Sequence, residues 1–65
     1  MLLKRTVIYA KDVQRITGKS ERSGRRMLNR IREQKGKQKH QLITINEFAE
    51  YSGIDTATIQ SYITD

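Results

Sequence analysis

Arg22, Arg26 and Asn29 recur at three- and four-residue spacing, so on a helix they share one face. Their chemistry suits the edges of base pairs. An arginine binds guanine O6 and N7 in a bidentate way, and an asparagine does the same for adenine N6 and N7. Around them stand Lys19, Arg25, Arg30, Lys35, Lys37 and Lys39, cations suited to phosphates, which fix position without specifying sequence. Placed at about 100° per residue, Gly24, Met27, Leu28 and Ile31 fall in one apolar arc. Arg22, Arg26, Asn29 and Glu33 lie opposite that arc, with Arg25 and Arg30 on its flanks. From Glu21 to Lys35 the segment holds six Lys or Arg, Arg32 among them, against two acids. An ordinary surface helix mixes signs to gain i,i+4 pairs, whereas like charges crowded here cost stability until a partner supplies the counter-charge.

That helix needs a scaffold, and its surroundings supply the signals. The spacing predicts a first helix from Ala10 to Thr17, with Val13 and Ile16 inward and Gly18 as its stop. Ser20 caps the basic helix that follows, and Gly36 ends it. A short helix, a glycine turn and a long basic helix describe a helix-turn-helix, whose second helix enters the major groove with its N-terminal residues on base edges.

An offset of 35 residues aligns the chain with itself. Ile8 falls on Ile43, Asp12 on Glu47, Val13 on Phe48 and Ile16 on Tyr51. Thr17-Gly18 falls on Ser52-Gly53, Ser20 on Asp55, Ser23 on Thr58, and Met27-Leu28 on Tyr62-Ile63. The economical explanation is an internal repeat, residues 6–35 and 41–65, within a single domain. In the second copy Thr44 and Glu47 fit a capping box, Phe48, Ala49 and Tyr51 form an apolar face, and Gly53 stops the helix. Asp55 then caps a last helix in which Ile59, Tyr62 and Ile63 recur at helical spacing. The polar, basic residues 35–41 connect the copies. Each copy is preceded by a β-prone run, Thr6-Val7-Ile8-Tyr9 or Leu42-Ile43-Thr44. Those runs either pair as a minor two-stranded ribbon or serve as extended lead-ins to the helices. The expected fold is all-α: a small four-helix domain of two helix-turn-helix units, with the ribbon or a wing as its sole β element. Neither copy alone has the apolar surface to fold, so the two apolar faces should pack together.

Charge is divided unevenly between the copies. All 13 Lys and Arg fall in residues 4–39, against Asp12, Glu21 and Glu33, while from Ile45 onward there are four acids and no base. The net charge of +6 is thus +10 in one part and −4 in the other. A concentrated positive part suits a polyanion, because neutralised phosphates release counterions. The second copy presents Thr56, Thr58, Gln60 and Ser61, a neutral face among acids. Burying the back of the first unit is its expected task, and a surface for another protein or subunit is the alternative. Glu47 and Glu50 are expected as a cap and a solvated or salt-bridged residue, and Tyr9, Tyr51 and Tyr62 as core or rim residues.

Other classes find little support. There is no cysteine and one histidine, His40, so no metal-ligand pair stands out. No nucleophile with a matched base and no glycine-rich phosphate loop occurs, and 65 residues leave little room for a closed pocket. Neither an enzyme, a cofactor nor a small-molecule ligand is expected. No stretch approaches the roughly 20 apolar residues of a membrane span, and the apolar part of MLLKRTVIYA is too short for a signal peptide. Cytoplasmic location is the default.

The second copy, TINEFAEYSGIDTATIQSYI, resembles the helix-turn-helix signature of excisionase-like and MerR-like DNA-binding domains. The resemblance rests on Glu47-Phe48-Ala49, Gly53-Ile54, Thr58-Ile59 and Tyr62. Ala49 stands four residues before the glycine, where those families keep a small residue so that the helices approach closely. The first copy resembles the signature through Val13, Ile16, Gly18, Ser20 and Leu28. It departs where Gln14 replaces the small residue and Lys19 the apolar residue after the glycine. The resemblance implies a small phage- or mobile-element-type transcriptional regulator or recombination directionality factor, acting as a homodimer or with partner proteins. Residues 35–41 fall where winged members place their wing. The expected ligand is double-stranded DNA, held by the first copy. The alternative is an adaptor whose basic face docks on an acidic protein, and structured RNA is a third ligand that charge alone would accept.

Overall fold

Helix ends in this chain are written by local chemistry. In the computed structural model, which describes residues 6–63, the elements run β1 (Val7–Ile8), α1 (Ala10–Thr17), α2 (Glu21–Lys35), β2 (Ile43–Thr44), α3 (Ile45–Ser52) and α4 (Thr56–Tyr62). Lys4, Arg5 and Asp65, counted in the charge pattern, lie outside the described residues. The backbone N–H of Ser23 donates to Ser20 Oγ at 3.2 Å and that of Thr58 to Asp55 Oδ2 at 3.2 Å, so Ser20 and Asp55 cap α2 and α4. Thr44 and Glu47 form a reciprocal capping box: Glu47 N–H donates to Thr44 Oγ1 at 3.0 Å, and Thr44 N–H to Glu47 Oε1 at 2.9 Å. Caps of this kind contribute about 1 kcal/mol each. Gly18 and Gly53 close α1 and α3 at φ 74° and 79°, a left-handed conformation that a side chain disfavours. Each gives the sharp turn that lets the next helix fold back.

The β-prone runs do pair. β1 and β2 are antiparallel, with Val7 against Thr44 and Ile8 against Ile43. Ile8 and Ile43 stand 35 residues apart and occupy equivalent positions in the two halves. Antiparallel pairing of equivalent residues, together with contacts of α1 on α4 and of α2 on α3, is the pattern of an approximate two-fold axis between the halves. The ribbon continues through Ile45 N–H, which donates to Thr6 O at 2.8 Å.

One apolar cluster serves both halves. Ile8, Val13, Leu28 and Ile31 meet Ile43, Ile45, Phe48 and Ile59, all 5% exposed or less. Ile16, Met27, Ala49, Tyr51 and Ile63 pack around them, partly buried. Of the two places expected for Tyr62, core or rim, it takes the rim. It is the last residue of α4 and 43% exposed, while Ile63 beyond it turns extended and packs on the core. Lys35–Glu50 at 2.7 Å and Lys37–Glu47 at 2.6 Å tie the end of α2 and the following connector to α3.

Gly24 is a point of close approach between α1 and α2. A Cβ there would lie 2.8 Å from the carbonyl oxygen of Ala10, a backbone atom that cannot swing aside, and 3.3 Å from Val13 Cβ. Helix propensity alone favours alanine over glycine by about 1 kcal/mol. Gly24→Ala is expected to reverse that sign and destabilise by about 1–3 kcal/mol, because α1 must shift off α2. Urea denaturation checks it, and a stabilised variant would show that α1 has room to move.

Candidate nucleic-acid interface

α2 presents its polar face because Gly24, Leu28 and Ile31 are buried on the opposite side. Arg22, Arg25, Arg26, Asn29, Arg30 and Glu33 are all exposed. Arg22, Arg26 and Arg30 stand at i, i+4 and i+8, a row spanning roughly 12 Å of helix. Among the described residues no carboxylate lies within ion-pair distance of any of the three, nor of Lys19 or Lys39. Each like-charged i,i+4 pair costs a helix about 0.2–0.5 kcal/mol, so the row is a net expense to the isolated protein.

The remaining candidates have partners within the chain. Arg25 pairs with Glu21 at 3.1 Å, but both are well exposed, and such a pair contributes little and exchanges readily. Asn29 Oδ1 accepts from Arg32 Nη1 at 2.8 Å, which fixes the amide orientation and leaves its NH₂ free to donate. Lys35 pairs with Glu50, and that hydrogen bond and charge raise its ammonium above the usual lysine range.

Lys37, expected as a phosphate contact, is engaged within the chain. Its Nζ donates to Glu47 Oε1 at 2.6 Å and to the Leu42 carbonyl at 2.7 Å, and its side chain is 21% exposed. It holds the connector onto the capping box of α3. Burial pushes the Glu47 carboxyl up, yet the Lys37 hydrogen bond, the Thr44 backbone N–H and the Lys37 charge outweigh that and hold it below the usual carboxylate range. Asp55 is also lowered, first by the Thr58 hydroxyl and then by the Thr58 backbone N–H.

Arg32, given no role from the sequence, braces the same connector from the other side. Its Nε donates to the Gln41 carbonyl at 2.7 Å. Gln41 N–H donates back to Gln38 O at 3.1 Å, and Gln38 N–H to Gln41 Oε1 at 2.7 Å, so the turn carrying Lys39 and His40 is held at its base. A cationic groove of about 370 Å³ runs between this turn and α2, lined by Asn29, Arg32, Glu33, Lys37 and Lys39. The contacts that build it join residues nine and ten positions apart through a bend, and counting charges along the chain does not find them.

α4 offers no comparable face. At the positions equivalent to Arg22, Arg25 and Arg26 it has Ala57, Gln60 and Ser61, and it is 7 residues long against 15 for α2. Among the described residues no group of three or more His, Cys, Asp or Glu side chains gathers, and no helix is long and apolar enough to cross a membrane. Compared with known protein families, with characterised proteins and with solved structures, the chain finds no match.

The Glu47 geometry predicts an acid limb. A carboxyl held low when folded contributes stability fully present above its unfolded value, about 4.3, and lost as pH falls through the lower folded value. Glu47→Gln keeps a capping-box acceptor but loses the ion pair. It is expected to cost about 1 kcal/mol at pH 7 and to flatten the stability profile below about pH 4.3. Denaturation at stepped pH checks both, and an unchanged acid limb would remove Glu47 from the account.

Proposed function

We propose that the protein binds double-stranded DNA, with the exposed face of α2 in the major groove as the second helix of a helix-turn-helix. The single observation that carries this reading is the row Arg22–Arg26–Arg30, exposed, like-charged and with no ion-paired carboxylate among the described residues. Duplex phosphate and the guanine edge are the ligands that compensate such a row most fully. Arg22, Arg26 and Asn29 read bases, while Lys19, Arg25, Arg30 and Lys39 contact phosphates. Lys35 and Lys37 are left to the α3 carboxylates. One basic helix per chain corresponds to one segment of major groove, so a two-fold site takes a second copy or a partner. The resemblance of both copies to excisionase-like and MerR-like domains favours a small regulator or recombination directionality factor.

Anisotropy with a random-sequence duplex tests this directly. Four phosphate contacts correspond to a log–log salt slope of about −3 to −4, hence roughly 100-fold weaker binding at 200 mM than at 50 mM salt. Absent binding at low salt, or a flat salt response, would defeat the proposal. On a selected site, Arg26→Ala should cost about 1–3 kcal/mol and relax preference at one base pair. Arg30→Ala should weaken every sequence alike and reduce the slope by about 0.9. Lys37→Ala should lower stability and leave the slope unchanged.

A further inference from the structure

A free asparagine on a recognition helix matches adenine, its amide oxygen accepting from N6 and its NH₂ donating to N7. The surroundings of Asn29 alter that match. An arginine has N–H donors and no acceptor, so the amide can meet Arg32 only through its oxygen. Asn29 Oδ1 accepts from Arg32 Nη1 at 2.8 Å, and Nε of the same guanidinium donates to the Gln41 carbonyl at 2.7 Å. Gln41 is itself held by its bonds with Gln38. One planar fork thus grips the helix and the connector together, and its geometry is fixed before any ligand arrives.

What this pair can offer a base is donors. The Asn29 NH₂ and the remaining N–H groups of Arg32 all donate. The second lone pair of Asn29 Oδ1 lies beside a cation, where an approaching adenine N6–H would meet like partial charge. Glu33 lines the same groove as Asn29 and Arg32, yet among the described residues no ion pair joins its carboxylate to a cation. It adjoins Arg32 in sequence, and neighbours at i,i+1 do not face each other.

We propose that Arg32 is a positioning residue that sets specificity: by holding the Asn29 oxygen, it makes Asn29 a reader of guanine instead of adenine. Guanine shows two adjacent acceptors in the major groove, O6 and N7, which suit a donor-only pair. Thymine shows a single acceptor, and adenine sets a donor beside its acceptor. Arg22, Arg26 and Asn29 then all call for guanine, along roughly 10 Å of helix or about three base steps. The preferred ligand is therefore a duplex with a short guanine-rich run. This specificity rests on α2 lying in the major groove, as proposed above, and its test lets the two fail separately.

The test is selection from a pool of random-sequence duplexes at low salt, with the full chain as parent, Asn29→Ala and Arg32→Met. Asn29→Ala should flatten the preference at one base pair, which identifies the pair that Asn29 reads. There the parent should favour guanine over adenine by about fivefold or more. Arg32→Met frees the Asn29 oxygen and should reverse that preference to adenine, with the other positions unchanged. A merely structural role for Arg32 would weaken all sequences alike and leave the base unchanged. Three results would overturn the proposal while salt-dependent duplex binding persists: adenine at that pair in the parent, unchanged guanine in Arg32→Met, or an Asn29→Ala profile identical to the parent's. The first needs no Arg32 variant, so it decides the matter even if Arg32→Met unfolds. Absent duplex binding at low salt would defeat the DNA proposal and this specificity with it.

Discussion

Four apolar side chains from each half of the chain have to meet for either half to be folded. Ile8, Val13, Leu28 and Ile31 would stay exposed without Ile43, Ile45, Phe48 and Ile59, and the reverse holds equally. The strand pair is the hinge of that arrangement. Two residues per strand is far too little to be stable alone, yet both members of its central pair, Ile8 and Ile43, are core residues. The orientation of α2 follows. Its apolar stripe is held by α1 and α3, so its arginine face can only point outward. Half of the four acids of the second copy take part as well, Glu47 and Glu50 neutralising the two lysines nearest the seam.

The halves share a plan and diverge in how closely each obeys local rules. The second half is conventional: a complete capping box on α3, an aspartate cap on α4, and Ile59 filling the core from the first turns of α4. In the first half the residue equivalent to Ile59 is Gly24, which gives up a core side chain and helix propensity so that α1 can approach. The arginine row adds repulsion. Local rules broken together in one half, while the other half obeys them, are where function is to be sought. A small domain tolerates such departures only if something else is strong, and here the second half supplies that strength.

What the sequence made legible was local. Helix limits from Ala10 to Thr17 and from Ser20 to Gly36 could be read because a cap and a left-handed glycine act within one turn of their own position. The inward arc of α2 followed from a 3.6-residue period, and Gly24, Leu28 and Ile31 are buried as that period requires. The ribbon stayed open between two readings, since strand pairing depends on a residue 35 positions away. Tyr62 could be read only as core or rim because periodicity does not say where the helix stops; α4 ends there, and Ile63 packs on the core. Lys37 was placed among the phosphate candidates on charge alone. Its partner became visible only once the connector doubled back over α3.

Lys37 and Arg32 together decide how α2 can act. α1 is 8 residues long and α2 is 15, so the C-terminal part of α2 is supported by α3 and by the connector rather than by α1. A loose connector would leave Lys39 and Leu42 wandering, and any ligand would bear the entropy of ordering them. Lys37 ties the connector to Glu47 and Leu42 O, Arg32 ties it to Gln41 O, and the Gln38–Gln41 bonds close the turn between them. Three cations are therefore divided by position: two are spent on rigidity, and Lys39 is presented by it. Rigid presentation lowers the ordering cost of association. Arg32, which braces the connector, also holds the Asn29 amide on the α2 face, so turn and helix are joined through a single guanidinium.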